Sequence, residues 1–204
     1  MSPYLQKQFD EAIADIKKYW FPDHQADFLY PLGPQDKGTP SLLTWYKPGT
    51  STYKVHYIVL GNTLFVTGDI GSAIYVWNEP ISFEWLATLD YHYFVGKNEG
   101  IEGKDKSYRS WDPKALAAHF DEEIKDLAEN EELSTEEIIK NYGLQDWKDS
   151  VNSEGEWLAY LSDLYDRGPL DGEQLSDFHD LGLVPDMRTI GHWMGIQMAI
   201  QAQQ

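Results

Sequence analysis

Histidines and a few aspartates are the residues of this chain with the chemistry for metal binding or proton transfer. The six histidines are His24, His56, His92, His119, His179 and His192. Asp90 and His92 flank one residue, so they would share a face on a strand but point apart on the helix that we expect there. His179 precedes Asp180, and a metal phosphohydrolase would need further ligands such as His119 and Asp186. Because neither H-E-x-x-H nor H-x-H occurs, we expect a helix-surface pair instead.

Asp69 is the other carboxylate whose position suits catalysis, because it lies between two glycines directly after a β-rich run. The more common role of such an aspartate is to hydrogen-bond its own backbone in a turn, which is our expectation here. The sequence contains no phosphate-binding glycine loop, no G-x-S-x-G elbow and no cysteine. We therefore predict no catalytic residue, no metal site and no cofactor. The alternative is a metal-dependent hydrolase that uses Asp69, Asp90, His92 or His179.

The acidic side chains are concentrated in the middle of the chain. The whole chain has 34 acidic and 16 basic residues, a formal net charge of -18. Residues 111–180 hold 20 acidic and 5 basic side chains, net -15, whereas residues 1–110 are only net -3. Within residues 121–137 the only basic side chain is Lys125. The acidic residues there are Asp121, Glu122, Glu123, Asp126, Glu129, Glu131, Glu132, Glu136 and Glu137.

Three interpretations of this acidic segment are open. Charged helix faces commonly serve only to keep a protein in solution. Carboxylates spaced along helices can also imitate a phosphate backbone and attract a basic protein groove. A calcium site is the third, but no D-x-[DN]-x-[DN]-G loop is present. We take the nine acidic residues as the candidate partner-binding site, and the net charge argues against direct binding of nucleic acid or an anionic membrane.

The first 80 residues have the pattern of a helix followed by a sheet. Apolar residues at steps of three and four predict an N-terminal helix over residues 3–20. Residues 22–40 are rich in proline and glycine and predict an irregular loop. Alternating apolar residues then predict strands at 41–46, 53–60, 63–67 and 73–77, with a tight turn at Gly61. We expect an antiparallel four-stranded meander whose aromatic side chains pack in the core rather than stacking on bases.

The remainder of the chain is predicted to be mostly helical. Residues 81–94 suggest one or two short helices, residues 96–110 an exposed loop, and residue 113 the start of a longer helix. Capping boxes are expected at Ser134 and Ser153, and further caps at Asp171 and Thr189. Strands grouped before helices indicate an α+β fold. We expect one domain over residues 1–204, with helix plus sheet at 1–80 and an acidic helical part at 81–204.

The sequence also bears on location. No apolar run approaches the roughly 18 residues that suggest a membrane span. The first residues lack the basic and apolar regions of a signal peptide. These observations and the absence of cysteine lead us to expect a cytoplasmic protein.

Residues 62–77 (NTLFVTGDIGSAIYVW), 90–94 (DYHYF), 111–112 (WD) and 192–199 (HWMGIQMA) carry a resemblance. In these stretches the chain resembles a loose group of bacteriophage and prophage proteins of unassigned function, over residues 40–200. The resemblance implies a phage origin and brings no catalytic residues. By size and charge alone the chain is also similar to anti-CRISPR proteins, which are phage inhibitors of host defence.

The function expected from the sequence is therefore that of a non-enzymatic phage protein in the cytoplasm of a bacterial host. It would bind and inhibit a host nucleic-acid-binding protein or RNA-guided CRISPR effector through its acidic helical surface. A metal-dependent hydrolase and a phage structural or assembly protein are the alternatives. The oligomeric state is left open.

Overall fold

The computed structural model describes residues 3–29, 39–101, 109–145, 147, 151–167, 178–179 and 181–203, and it confirms the α+β class. The helices are α1 (Pro3–Asp15), continued by a π-helical turn (Ile16–Trp20), α2 (Phe83–Leu86), α3 (Tyr91–Val95), α4 (Pro113–Glu131), α5 (Thr135–Asn141), α6 (Glu154–Arg167) and α7 (Met187–Gln201). The strands are β1 (Gln25–Phe28), β2 (Ser41–Tyr46), β3 (Val55–Leu60), β4 (Thr63–Gly68), β5 (Ala73–Val76), β6 (Asn98–Ile101), β7 (Arg109–Trp111) and β8 (Leu183–Pro185).

The main sheet has six strands in the order β1 to β6, and every neighbouring pair is antiparallel. The four strands expected from alternation are β2 to β5, and Gly61 has the positive φ of 61° that the turn between β3 and β4 requires. Apolar side chains alternate onto one face, where Tyr57 lies opposite Val66 and Leu64 opposite Tyr75. The meander itself is therefore confirmed, and a strand is added at each end.

Those two added strands correct the sequence-based expectation. Residues 22–40 were expected to form an irregular loop, but β1 lies within that segment and pairs with β2. Residues 96–110 were expected to form an exposed loop, but β6 pairs with β5 and places Gly100 opposite Ile74. The added strands are four residues each and consist largely of polar residues, alanine or glycine (QADF and NEGI), which gives no alternation signal. Pairing with a longer neighbouring strand supplies the backbone hydrogen bonds that make each segment a strand.

Two helix ends also differ in detail from the expected caps. α7 begins at Met187, and Asp186 is its N-cap, accepting a bond from the amide of Arg188 at 2.8 Å. Thr189, expected as the cap, is buried inside the first turn. The box at Ser134 is complete. At α6 the Ser153 hydroxyl accepts from the amide of Glu156 at 3.3 Å, as expected of a cap, and the Glu156 carboxylate also accepts from the amide of Asn152 at 2.7 Å. The expected cap at Asp171 lies outside the described residues.

The chain separates into two compact units, which do not coincide with residues 1–80 and 81–204. The sheet unit comprises residues 9–108 and 185–204, and the helical unit comprises residues 1–8 and 109–184. The helical unit carries 20 acidic and 7 basic residues, net -13, whereas the sheet unit carries 14 acidic and 9 basic residues. In the described part of the chain, no helix combines the length and apolar character needed to cross a bilayer.

The core of the sheet unit forms where α7 packs on the sheet. A Cβ atom at Gly195 of α7 would lie 2.1 Å from the hydroxyl oxygen of Tyr57 and 3.4 Å from the Trp45 ring. A glycine is therefore needed at this position, because the helix backbone approaches these two buried aromatic side chains directly. The close approach sets how α7 lies against β2 and β3.

The helical unit has a core of its own. It is built from the inward faces of α4, α5 and α6 together with the buried rings of Trp147 and Phe178, which lie outside those three helices. Phe120 of α4 lies 4.8 Å from the Trp147 ring, and the indole nitrogen of Trp157 donates to the carbonyl of Phe178 at 2.9 Å. This core determines which side of α4 faces water.

Candidate functional site

The nine acidic residues of segment 121–137 lie on α4, on α5 and on the turn that joins these helices; we call them the acidic surface. α4 starts at Pro113, whose missing amide is harmless at a first helical position, and Asp112 caps the helix by accepting from the amide of Lys114 at 2.9 Å. Its buried stripe includes Leu116, Phe120 and Ile124. The intervening positions carry the carboxylates, so the helical period directs most of them away from the core.

Exposure within the acidic surface is uneven. Glu122 and Glu123 are half-buried. The exposed members are Asp121, Asp126, Glu129, Glu131, Glu132, Glu136 and Glu137. A partner that approaches the helical unit from solvent would therefore meet those seven carboxylates before the two half-buried ones.

Two of the exposed carboxylates have structural roles. Glu137 accepts hydrogen bonds from the amide and the hydroxyl of Ser134, at 2.9 and 2.7 Å, and completes the capping box of α5. These two hydrogen bonds lower the pKa of Glu137, and the bond from the amide contributes most. Glu131 accepts a hydrogen bond from the hydroxyl of Tyr142. These contacts hold both carboxylates in place, so their positions are accounted for without a binding partner.

Three other carboxylates have no such explanation. Asp126, Glu129 and Glu132 are exposed, and none of them makes an ion pair or side-chain hydrogen bond with the part of the chain that the structure describes. Lys125 is likewise without an ion-pair partner among those residues. Asp126 and Glu129 are three residues apart on one helix, a spacing at which like charges repel. The local charge of this surface therefore remains uncompensated.

The turn after α4 holds part of the acidic surface in a defined conformation. Glu132 has a left-handed backbone with φ of 55°, and its amide donates to the carbonyl of Ala128. Ser134 then starts α5 within three residues. Carboxylates from the end of α4 and the start of α5 are consequently placed along one short, ordered segment of backbone.

The residues weighed for hydrolase chemistry have local structural roles. The Asp69 carboxylate accepts from the amide of Tyr53 at 2.7 Å, so it stabilises the neighbouring β2–β3 turn rather than its own backbone. Asp90 caps α3 by accepting from the amide of Tyr93 at 2.9 Å. His92 follows on that helix, exposed, with its ring 6.4 Å from Phe9. The helical expectation for this segment is confirmed, and Asp90 and His92 do not act as a pair.

The remaining candidate ligands also have local structural surroundings of their own. His119 is buried in α4, against the edge of the Tyr4 ring at 5.1 Å, and burial lowers the pKa of His119. His179 is exposed, and Asp180 lies outside the described residues. Asp186 belongs to the other unit and caps α7. Across the described ranges, no three histidine, aspartate or glutamate side chains gather as a metal site would require.

A buried polar network in the sheet unit escaped the sequence analysis. The hydroxyl of Tyr75 lies 3.0 Å from Nδ1 of His192, and the Tyr91 hydroxyl lies 2.7 Å from that of Thr189. Burial lowers the pKa of His192 to about 4, so the ring is neutral at physiological pH. Burial likewise raises the pKa of Tyr75. This neutral pair joins α7 to the sheet, and no sequence spacing signals that contact.

The strand aromatics are mostly in the core, as expected. Trp45, Tyr57, Tyr75 and Trp77 are all buried, so their faces are not available to stack on bases. The exposed aromatic rings include Phe65 of β4 as well as Trp85 and Tyr93, which lie outside the strands.

The chain has no match among models of known protein families, among curated proteins or among solved structures.

Proposed function

We propose that the chain is a non-enzymatic phage protein that binds a basic, nucleic-acid-binding surface of a host protein through the acidic surface. The observation that carries the proposal is the set of uncompensated, exposed carboxylates of Asp126, Glu129 and Glu132. Without a partner, such charges repel one another and oppose folding. With a basic partner, the same charges attract it and orient its approach.

The charge distribution supports one class of partner. The helical unit is net -13, and α4, α5 and the turn between them present seven exposed carboxylates of the acidic surface. Proteins that bind nucleic acid expose lysine and arginine grooves for this charge pattern. We therefore propose a host defence or nucleic-acid-handling complex as the target, an RNA-guided CRISPR effector being the leading example. The protein would inhibit it by occupying the groove.

A hydrolase is the less favoured alternative. It would need Asp69, Asp90, His92 or His179 to converge on a substrate, but Asp69 and Asp90 are occupied by turn and cap hydrogen bonds. Hydrogen bonds of that kind stabilise turns and helix ends, so both carboxylates have a structural role.

The binding test compares two variants of equal charge. In the first, Asp126, Glu129 and Glu132 are changed to lysine; in the matched control, Asp15, Asp27 and Glu154, which are also exposed, are changed to lysine. Both sets change the formal net charge from -18 to -12. Affinity for purified, guide-loaded CRISPR effectors is measured at about 50 mM and about 500 mM salt, with circular dichroism as the folding control.

We expect the wild type and the control variant to bind one of these effectors at low salt, to release it at high salt and to displace its target DNA. The first variant should fold and lose this binding. Equal binding by both variants would show that the acidic surface only keeps the protein in solution. Failure to bind any effector of the set would remove RNA-guided effectors as the target class.

A further inference from the structure

A row of residues crosses the outer face of the six-stranded sheet, which is the face opposite α7. Direct partners in neighbouring antiparallel strands point to the same side, so the register defines the row. Ile58 of β3 is paired with Leu42 on one side and with Phe65 on the other. At the β1 end the amide of Leu29 donates to the carbonyl of Leu42 at 3.1 Å. We call the following six residues the outer row: Leu29, Leu42, Ile58, Phe65, Ile74 and Gly100.

The outer row is exposed although its side chains are apolar. Leu29 is 60% exposed, Ile74 is 41% exposed and Phe65 is 38% exposed. Leu42 and Ile58 are half-buried. In an antiparallel sheet with one face on the core, the other face normally carries polar side chains. A continuous exposed apolar patch instead marks an interaction surface.

The rest of the outer face carries little charge. On the described strands β2 to β5, the outward positions hold apolar, hydroxyl, tyrosine and histidine side chains but no lysine, arginine, aspartate or glutamate. The chain as a whole is net -18. A basic partner is attracted to the acidic helical unit and not to this face. Two like-charged copies of the chain, in contrast, can meet here without burying ionised groups.

The two ends of the outer row are complementary in shape. Leu29 at one end is its most exposed member. Gly100 at the other end has no side chain, and a Cβ atom placed there would have no neighbour within 4 Å. A shallow hollow of about 410 Å³ opens at that end, lined by Phe65, Ile74 and Gly100 among others. One end therefore presents a projecting side chain, and the other end has space to receive one.

We propose that two copies of the chain form a symmetric dimer through their outer faces, with Leu29 of each copy over Gly100 of the partner subunit. A twofold axis parallel to the strands, midway between β3 and β4, places β1 over β6, β2 over β5 and β3 over β4. The outer row of one copy then lies along that of the other, so apolar side chains meet apolar side chains. Sheets that pack face to face in this way lie about 10 Å apart with their strands nearly aligned.

The size of the outer face predicts a weak, reversible dimer. Six strands that are about 4.8 Å apart and four to six residues long cover about 400–500 Å². A standard stable interface buries about 800 Å² on each partner. We therefore expect a dissociation constant of about 10–100 µM.

The first test measures molar mass by sedimentation equilibrium, from about 1 µM to about 500 µM protein in about 150 mM salt. We expect monomer at the lowest concentration and mostly dimer at the highest. Raising the salt to about 500 mM should tighten the dimer, because salt screens the repulsion between like-charged copies. Binding through the acidic surface would weaken instead. A monomer at every concentration would overturn the proposal, as would a dimer that dissociates at high salt.

One pair of variants locates the interface. Phe65→Lys places a charge in the middle of the outer row and should raise the dissociation constant at least about tenfold. Tyr19→Lys makes the same change of charge at an exposed aromatic residue outside the outer face and should leave the constant unchanged. Circular dichroism checks that both variants are folded. Wild-type dimerisation by folded Phe65→Lys would overturn the proposal.

An exchange of the two end residues tests the twofold arrangement. Gly100→Leu fills the hollow and should weaken the dimer about tenfold, because two leucine side chains would then collide. Adding Leu29→Ala moves the projecting side chain to the other end of the row and should restore the constant to within about threefold of wild type. Within one copy the two positions are about 24 Å apart, so only contact between copies couples them. A double variant that dimerises no better than Gly100→Leu would overturn the proposal.

Discussion

The hydroxyl of Tyr75 and Nδ1 of His192 are hydrogen-bonded at 3.0 Å across 117 positions of sequence, and both side chains are buried. Burial disfavours a charged imidazole, which is why the pKa of His192 falls to about 4 despite the opposing influence of Asp186. The pair therefore fixes α7 on the sheet as a neutral contact. It also makes stability depend on pH.

The first prediction follows from that pKa. Because the pKa of His192 is about 4 in the folded state and near 6.5 when unfolded, the unfolded state binds more protons between these values. The free energy of unfolding should therefore fall as the pH is lowered from 7 to 5, by about 2 kcal/mol from this residue. Urea denaturation at both pH values measures the change. A His192→Gln variant should show a smaller change, and an identical pH dependence would contradict the prediction.

The second prediction concerns the contact between Gly195 and Tyr57. A methyl group at Gly195 would lie 2.1 Å from the Tyr57 hydroxyl oxygen, so Gly195→Ala should destabilise the protein by about 1–3 kcal/mol. That hydroxyl is buried and has no partner among the described residues. Tyr57→Phe alone should therefore be nearly neutral or stabilising, and it should restore part of the stability of Gly195→Ala. Additive losses in the double variant would exclude this contact as the cause.

The third prediction tests the capping box of α5. Ser134→Ala removes the hydroxyl that caps the helix and should lower stability by about 1 kcal/mol. The hydroxyl is also one of the donors that lower the pKa of Glu137, so the variant should raise that pKa toward its ordinary value. Carbon-detected NMR titration of the Glu137 carboxyl measures this change in pKa directly. Because the folded-state pKa is lowered, the stabilisation is present above the unfolded pKa and is lost as the pH falls through the folded one.

The fourth prediction separates function from stability in the acidic surface. Replacing Asp126 with Asn and Glu129 with Gln removes two exposed charges three residues apart. Relief of repulsion should leave stability unchanged or raise it by about 0.2–0.5 kcal/mol, while the proposed partner binding weakens. Thermal melts and affinity measurements on the same preparation check both parts. A clear loss of stability would mean that these carboxylates have structural partners.

Local sequence patterns predicted the elements with strong periodicity. Strands β3 and β4 are rich in β-forming residues and flank the turn at Gly61, and α4 and α5 have recognisable caps at Asp112 and Ser134. β1 and β6 were missed because their sequences, QADF and NEGI, contain few β-forming residues, and each segment becomes a strand through the hydrogen bonds that its neighbour supplies. The cap of α7 was placed three residues late, since Thr189 and Asp186 are both acceptable cap residues and only burial of the threonine distinguishes them.

The candidate site was predictable only in part. The concentration of acidic residues in segment 121–137 is a property of composition and was visible at once. The pairing of Glu137 with Ser134 follows from the predicted capping box, but the pairing of Glu131 with Tyr142 does not, because it depends on the turn between α4 and α5. The outer row was not predicted either. Its members come from separate strands, and only the register between those strands brings them into line.

The sequence by itself determined the α+β class, the central strands, the principal helix starts and the uneven charge of this protein. These features depend on local backbone preferences and on composition, which act within a few residues. The tertiary structure alone decided the two edge strands, the neutral Tyr75–His192 pair, the close approach of Gly195 to Tyr57 and the alignment of the outer row across the sheet. Each of these depends on burial or contact between distant segments, and that is set by how whole elements pack.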